Sequence, residues 1–208
     1  MNKQTFEESI DTKRRKEGIE WLRLWCENTQ STLPRVALIG DSITEQVFEG
    51  IQKELQGVAS VDFLVTSYSI LSPAYTSMVK AFVVDSEYAV VYYNYGLHAS
   101  GVAIEDYAKA YRGMVEFFLK KSKVLLGSTT DVQTQKAEQM MNMVKERNAC
   151  VEAVAKEFHL PMDDTYAISV KMGANGKIKD GVHFNEMGKE RLAKHKAEQI
   201  KKVLKDII

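Results

Sequence analysis

Residues with the chemistry of acyl transfer stand at two distant places in the chain: Ser42, and Asp180 with His183 three residues after it. A serine hydroxyl attacks a carbonyl when a base takes its proton, and the base needs a third group to orient it. Ser42 lies in Val36-Ala37-Leu38-Ile39-Gly40-Asp41-Ser42-Ile43-Thr44. The apolar run reads as a strand buried on both faces. Gly40 breaks it, and Asp41, Ser42 and Thr44 are residue types that start helices. A serine there sits beside unpaired N–H groups and a partial positive charge. It is either a nucleophile with its own oxyanion donor or a helix cap. Asp180-Gly181-Val182-His183 is a glycine-containing loop ahead of the last helical pattern. Its carboxylate and imidazole either point into one pocket, the first fixing the tautomer of the second, or cap that helix. The other histidines offer less. His195, between Lys194 and Lys196, is expected in solvent, and His159 ends a helical run, where a histidine suits the dipole.

The elements that must position these residues alternate strand and helix. Strands are expected at about 35–40, 58–66, 88–93, 123–127 and 160–163. Helices are expected at about 43–55, 72–82, 104–121, 137–158 and 186–207, with a turn of helix at 166–171. A leading helix, from about Thr5 to Asn28, carries Ile19, Leu22, Trp25 and Cys26 at helical spacing. The alternation predicts an α/β domain with a parallel, doubly wound, five-stranded sheet. Residues 1–208 form this one domain, with the leading helix in residues 1–30 packed on it. The polar loops at Gly40–Thr44, Ser67–Ser69, Asn94–His98 and Ser128–Asp131 all follow strands, and a parallel sheet gathers those ends on one edge. Ser128-Thr129-Thr130 either line a pocket or close a turn.

The 28 basic and 28 acidic residues balance, so no overall charge favours nucleic acid or an anionic membrane. Cys26 and Cys150 fall in helical patterns and are expected as buried thiols, not a disulfide framework. No apolar run approaches the roughly 20 residues of a membrane span, and the first residues lack the apolar core of a signal peptide. A cytoplasmic location is expected, although a leader already removed would leave no trace. No Cys/His cluster has zinc spacing and no Gly-rich Lys-Ser/Thr loop suits a nucleotide, so neither metal nor cofactor is expected.

Gly40-Asp41-Ser42, and Asp180-Gly181-Val182-His183-Phe184-Asn185-Glu186-Met187-Gly188, resemble the first and last motif blocks of the SGNH (GDSL-type) hydrolases. The chain order fits too, and the resemblance covers nearly everything from about Val36. It implies a flavodoxin-like three-layer α/β/α fold and metal-independent hydrolysis of esters. Ser42 would be the nucleophile, His183 the general base and acid, and Asp180 the group orienting His183. The two middle blocks depart from the family. Its glycine after the second strand is replaced by Ser67-Tyr68-Ser69, where the N–H of Ser67 or Ser69 is left to donate to an oxyanion. Its Gly-x-Asn-Asp block reads here Asn94-Tyr95-Gly96-Leu97-His98-Ala99: Gly96 matches, His98 stands where the asparagine would be, and Asn94 is the rival donor. The implied activity is that of an esterase or acylhydrolase acting on a small or carbohydrate-linked ester, deacetylation included. The altered blocks equally admit a ligand-binding protein on the same scaffold that has lost turnover. A flavodoxin-like anion or flavin binder using Ser42 and Thr44 would leave Asp180 and His183 without a role.

Overall fold

The computed structural model describes residues 20–98, 101–133 and 137–206. Its elements are β1 (Leu22–Trp25), β2 (Arg35–Gly40), α1 (Ser42–Glu54), β3 (Ser60–Thr66), α2 (Pro73–Val84), β4 (Tyr88–Tyr93), α3 (Ile104–Leu119), β5 (Lys123–Gly127), α4 (Ala137–Glu157), β6 (Met162–Asp163), α5 (Thr165–Met172), a 3-10 turn (Gly173–Gly176) and α6 (Glu186–Lys205). The strands form one sheet in the order β1-β3-β2-β4-β5-β6. From β3 to β6 all pairings are parallel, which is the doubly wound flavodoxin-like order. Its reversal lies where β2 separates β3 from β4.

Every residue of β2 from Val36 to Gly40 is buried, and the pleat sends alternate side chains to opposite layers. Val36 and Leu38 pack with α1 and α6, whereas Ala37 and Ile39 pack with α2, α3 and the C-terminal half of α4. That two-sided burial explains why β2 is continuously apolar rather than alternating.

The sheet has six strands rather than the expected five. Leu22–Trp25, expected within a leading helix, form β1, antiparallel to β3 with Leu22 opposite Thr66 and Trp25 opposite Phe63. Their helical spacing is overridden by the open edge of β3, whose N–H and C=O groups need partners. The rest of the expected leading helix, through residue 19, lies outside the described residues. Cys26, beyond β1, is exposed and Cys150 is only partly buried, so the expected burial of both thiols does not hold.

Two lysines are buried where the charge pattern gave no warning. Lys196 of α6 donates to the Tyr92 hydroxyl at 2.8 Å; that hydroxyl donates to the Asp163 carboxylate at 2.8 Å, which also bonds His195 Nε2 at 2.7 Å. His195 is therefore tied into the core edge and not solvated as expected. Lys177 donates to the carbonyls of Asp131 and Val182 at 2.8 and 2.7 Å. Burial lowers both amines to about 8, against the pull of Asp163 and Asp41 on Lys196 and of Asp131 and Asp180 on Lys177.

Above pH 8 the unfolded chain, with ordinary lysines, binds more protons than the folded one, so these groups make stability rise with pH toward about 10. Above that, buried Tyr75, Tyr92, Tyr93 and Tyr111, raised by desolvation, act oppositely, because they ionise only on unfolding. Lys196→Met is expected to raise the melting temperature relative to the parent at pH 7, with the gap narrowing toward pH 10. A gap constant across that range would contradict the burial of a charged Lys196.

Candidate active site

Ser42 opens α1. Asp41 is the N-cap, its Oδ1 accepting from the Ile43 N–H at 3.0 Å, so Asp41 caps the helix as its residue type suggests. Gly40 permits the sharp passage from β2 into α1: a Cβ there would lie 2.0 Å from Thr44 Oγ1 and 3.0 Å from the Asn94 carbonyl. The chain order thus leaves the Ser42 hydroxyl at the carboxyl edge of the sheet, at the reversal of strand order, where open α/β sheets bind ligands.

His183 Nε2 lies 2.9 Å from Ser42 Oγ, and His183 Nδ1 lies 2.6 Å from Asp180 Oδ2. Residues separated by more than a hundred positions thus form one hydrogen-bonded line, hydroxyl to imidazole to carboxylate. The second carboxylate oxygen of Asp180 accepts from the N–H groups of Val182 and His183, each at 2.9 Å, an Asx turn. Gly181, at φ 69°, supplies the left-handed residue that this turn requires. Burial pushes the Asp180 carboxyl up, but the hydrogen bonds from the His183 ring and from the His183 and Val182 amides outweigh it and hold the pKa below the usual value. Asp180 is therefore an anion at neutral pH, fit to fix the imidazole tautomer.

The loop is pinned from several sides. Gln133 N–H donates to the Gly181 carbonyl at 2.7 Å, and Lys177 Nζ reaches the Val182 carbonyl while lying 3.4 Å from the centre of the Phe184 ring. Phe184 N–H donates to Gln46 Oε1 at 3.1 Å. Since Gln46 follows Ser42 by four residues on α1, the helix that carries the hydroxyl also anchors the residue after the imidazole.

Of the two rivals on the β4 loop, Asn94 is committed elsewhere. Its side-chain amide donates to the carbonyls of Gly127 and Ser128, each at 2.9 Å, which uses both its hydrogens. The Ser67 N–H is likewise committed, to the Trp21 carbonyl at 3.1 Å. Ser69 accepts from the Leu71 N–H through its hydroxyl at 3.3 Å; among the described residues the amides of Ser42 and Ser69 donate to no other group. The His98 ring meets Trp21 edge to face, with centroids 6.1 Å apart, and Tyr95 at 6.4 Å. Gly96 lies against Thr129, and its carbonyl accepts from Arg147 at 2.9 Å. Ser128, Thr129 and Thr130 are buried and close the β5 turn. Ser128 Oγ accepts from the Tyr166 N–H at 2.8 Å, and Thr129 is held through both N–H and C=O by Asn148.

Arg147 and Asn148 are the supports that the sequence reading missed. The Arg147 guanidinium, fully buried, donates to the carbonyls of Gly96 and His98 at 2.9 and 2.5 Å and lies over the Tyr107 ring at 4.7 Å. Neighbouring residues of α4 thus fix the loops after β4 and β5. A charged residue within the apolar stripe Val144, Val151, Val154 was the available signal. Among the described residues no group of three or more His, Cys, Asp or Glu side chains could hold a metal ion, and no helix is long and apolar enough to cross a membrane.

No family model and no curated protein sequence matches the chain. Its fold is shared with solved structures. A lipase/acylhydrolase from Enterococcus faecalis superposes with a TM-score of 0.69 at 17% identity, covering 82% of this chain and 96% of the other. Axe2, an acetylxylan esterase from Geobacillus stearothermophilus, gives 0.68 at 16% identity over 80% and 94%. A member of the lipolytic protein G-D-S-L family from Veillonella parvula gives 0.65 at 19% over 79% and 96%. The chain therefore has the SGNH (GDSL-type) hydrolase fold.

Proposed function

We propose that this protein is a serine-dependent ester hydrolase, an esterase or acylhydrolase for small or carbohydrate-linked esters. The observation that carries the reading is the unbroken line Ser42 Oγ, His183 Nε2, His183 Nδ1, Asp180 Oδ2, with contacts of 2.9 and 2.6 Å, on a fold shared with esterases and acylhydrolases. His183 Nε2 takes the Ser42 proton as Oγ attacks the acyl carbonyl, and Asp180 stabilises the imidazolium. The tetrahedral oxyanion is met by the Ser42 N–H at the start of α1 and by the Ser69 N–H, with the His98 imidazole as a further donor. Collapse expels the alcohol, which takes the proton from His183, and leaves Ser42 acylated. A water, deprotonated by His183, then releases the acid.

A second reading, a binding protein without turnover, draws support from the committed hydrogens of Asn94 and the Ser67 amide. Steady-state hydrolysis of p-nitrophenyl acetate, with Ser42→Ala as the control, separates the two. Turnover that disappears with the hydroxyl supports the hydrolase. Saturable binding without turnover supports the alternative.

A further inference from the structure

β1 lies outside the doubly wound pattern, yet it brings an aromatic side chain to the active edge. Because β1 runs antiparallel to β3 with Leu22 opposite Thr66, while Gly40 of β2 faces Val65, Trp21 stands level with the ends of β2 and β3. Its backbone is fixed there. The Trp21 N–H donates to Ser67 Oγ at 2.9 Å, and its carbonyl accepts from the Ser67 N–H at 3.1 Å and Thr66 Oγ1 at 2.6 Å. The strand order puts β3 and β2 between β1 and β4. The contact of Trp21 with His98, on the loop after β4, therefore spans the ends of the strands that precede Ser42 and the Ser67–Ser69 turn. A second bridge runs the same way, from the Tyr95 hydroxyl to the Tyr68 carbonyl.

The first turn of α1 separates two sides of the crevice. Gln46 holds Phe184 beside His183. Glu45 pairs with Arg23, whose guanidinium lies over Trp21 at 5.8 Å. Consecutive helical residues point about 100° apart, so Trp21 and the His183 loop flank Ser42 on different sides. In the proposed tetrahedral intermediate the leaving oxygen meets His183, and the oxyanion meets the Ser42 and Ser69 amides and the His98 imidazole. The direction left for an acyl chain would then be the Glu45 side, where Arg23 lies over Trp21.

We propose that Trp21, held against His98, forms the closed wall of the acyl pocket and restricts this hydrolase to short acyl chains, acetyl before longer alkanoyl groups. The inference rests on Ser42 being the nucleophile. It names a specificity-determining residue, Trp21, outside the motif blocks.

The test compares kcat/KM for p-nitrophenyl acetate and p-nitrophenyl hexanoate. A pocket wall discriminates by about tenfold or more per methylene that it excludes. Trp21→Ala is expected to raise the hexanoate-to-acetate ratio at least about tenfold, and Trp21→Phe by less. An unchanged ratio in both variants, with Ser42-dependent turnover retained, overturns the wall and leaves the triad standing. A second measurement needs no change at Trp21. The chain has two tryptophans, so Trp25→Phe leaves Trp21 as the sole indole. A methylphosphonate bound to Ser42 is expected to shift its emission. A phosphonylated Ser42 with unshifted emission overturns the wall, whereas failure of Ser42 to react overturns the nucleophile assignment beneath it.

Discussion

Ser42→Ala is expected to lower kcat for an aryl acetate by roughly a factor of a million, the scale on which triad nucleophiles act. The only described partner of the Ser42 hydroxyl is His183 Nε2, at 2.9 Å, and α1 keeps its Asp41 cap without it. The substitution therefore removes the proposed attacking group and is expected to leave the fold and melting temperature nearly unchanged. His183→Ala is expected to cost a similar factor, because a hydroxyl without its base is a poor nucleophile at neutral pH. The double variant should fall little further than either single one, since members of a triad act as a unit. Multiplying losses would show that the two residues contribute independently and would dissolve the proposed triad. Steady-state kcat of the four proteins on one aryl ester decides it.

Asp180→Asn is the second large effect, expected at about 10⁴-fold in kcat. The effect is one of tautomers. An asparagine can keep the Asx turn by accepting from the Val182 and His183 amides through its carbonyl. Its NH₂ then faces His183 Nδ1, which becomes the acceptor and forces the ring hydrogen onto Nε2. A protonated Nε2 cannot take the Ser42 proton. Because the carboxylate is the anion held 2.6 Å from Nδ1, its loss would also remove the charge proposed to stabilise the imidazolium. A loss smaller than about tenfold, with the melting temperature retained, would demote Asp180 to a turn residue. The same Asp180→Asn protein should still bind unreacted ester, so KM is expected to move much less than kcat.

The parts of the site with local chemical signatures were legible in the sequence. A four-residue apolar run, a glycine and a capping aspartate placed Ser42 at the strand-to-helix passage. Asp180 and His183 stood out by their spacing across Gly181. The parallel order followed from alternation, and β2, β4 and β5 lie within a residue or two of their expected positions. What failed had a common cause, namely a partner distant in sequence. Leu22–Trp25 carry helical spacing, but the free edge of β3 takes them into the sheet. Lys196 and Arg147 look like surface charges by composition. Each sits on a buried stripe of its helix, where Tyr92 and the Gly96 and His98 carbonyls receive it. Asn94 is a free donor by sequence alone, but its loop meets the end of β5, whose carbonyls use its hydrogens. His195 beside two lysines gave no hint of Asp163, which reaches it from another strand.

The central claim is that the Ser42 hydroxyl forms a bond to the acyl carbon, and covalent trapping tests it most directly. A p-nitrophenyl alkylphosphonate presents a tetrahedral phosphorus to the same attack: Oγ bonds to phosphorus, p-nitrophenolate departs, and the adduct cannot deacylate readily. Intact-mass analysis followed by peptide mapping is expected to find one alkylphosphonyl group per chain, on Ser42, with stoichiometric release of p-nitrophenolate. Ser42→Ala should carry none, and Asp180→Asn should label far more slowly than the parent. Modification on another residue, or none on Ser42 while ester turnover continues, would contradict the assignment.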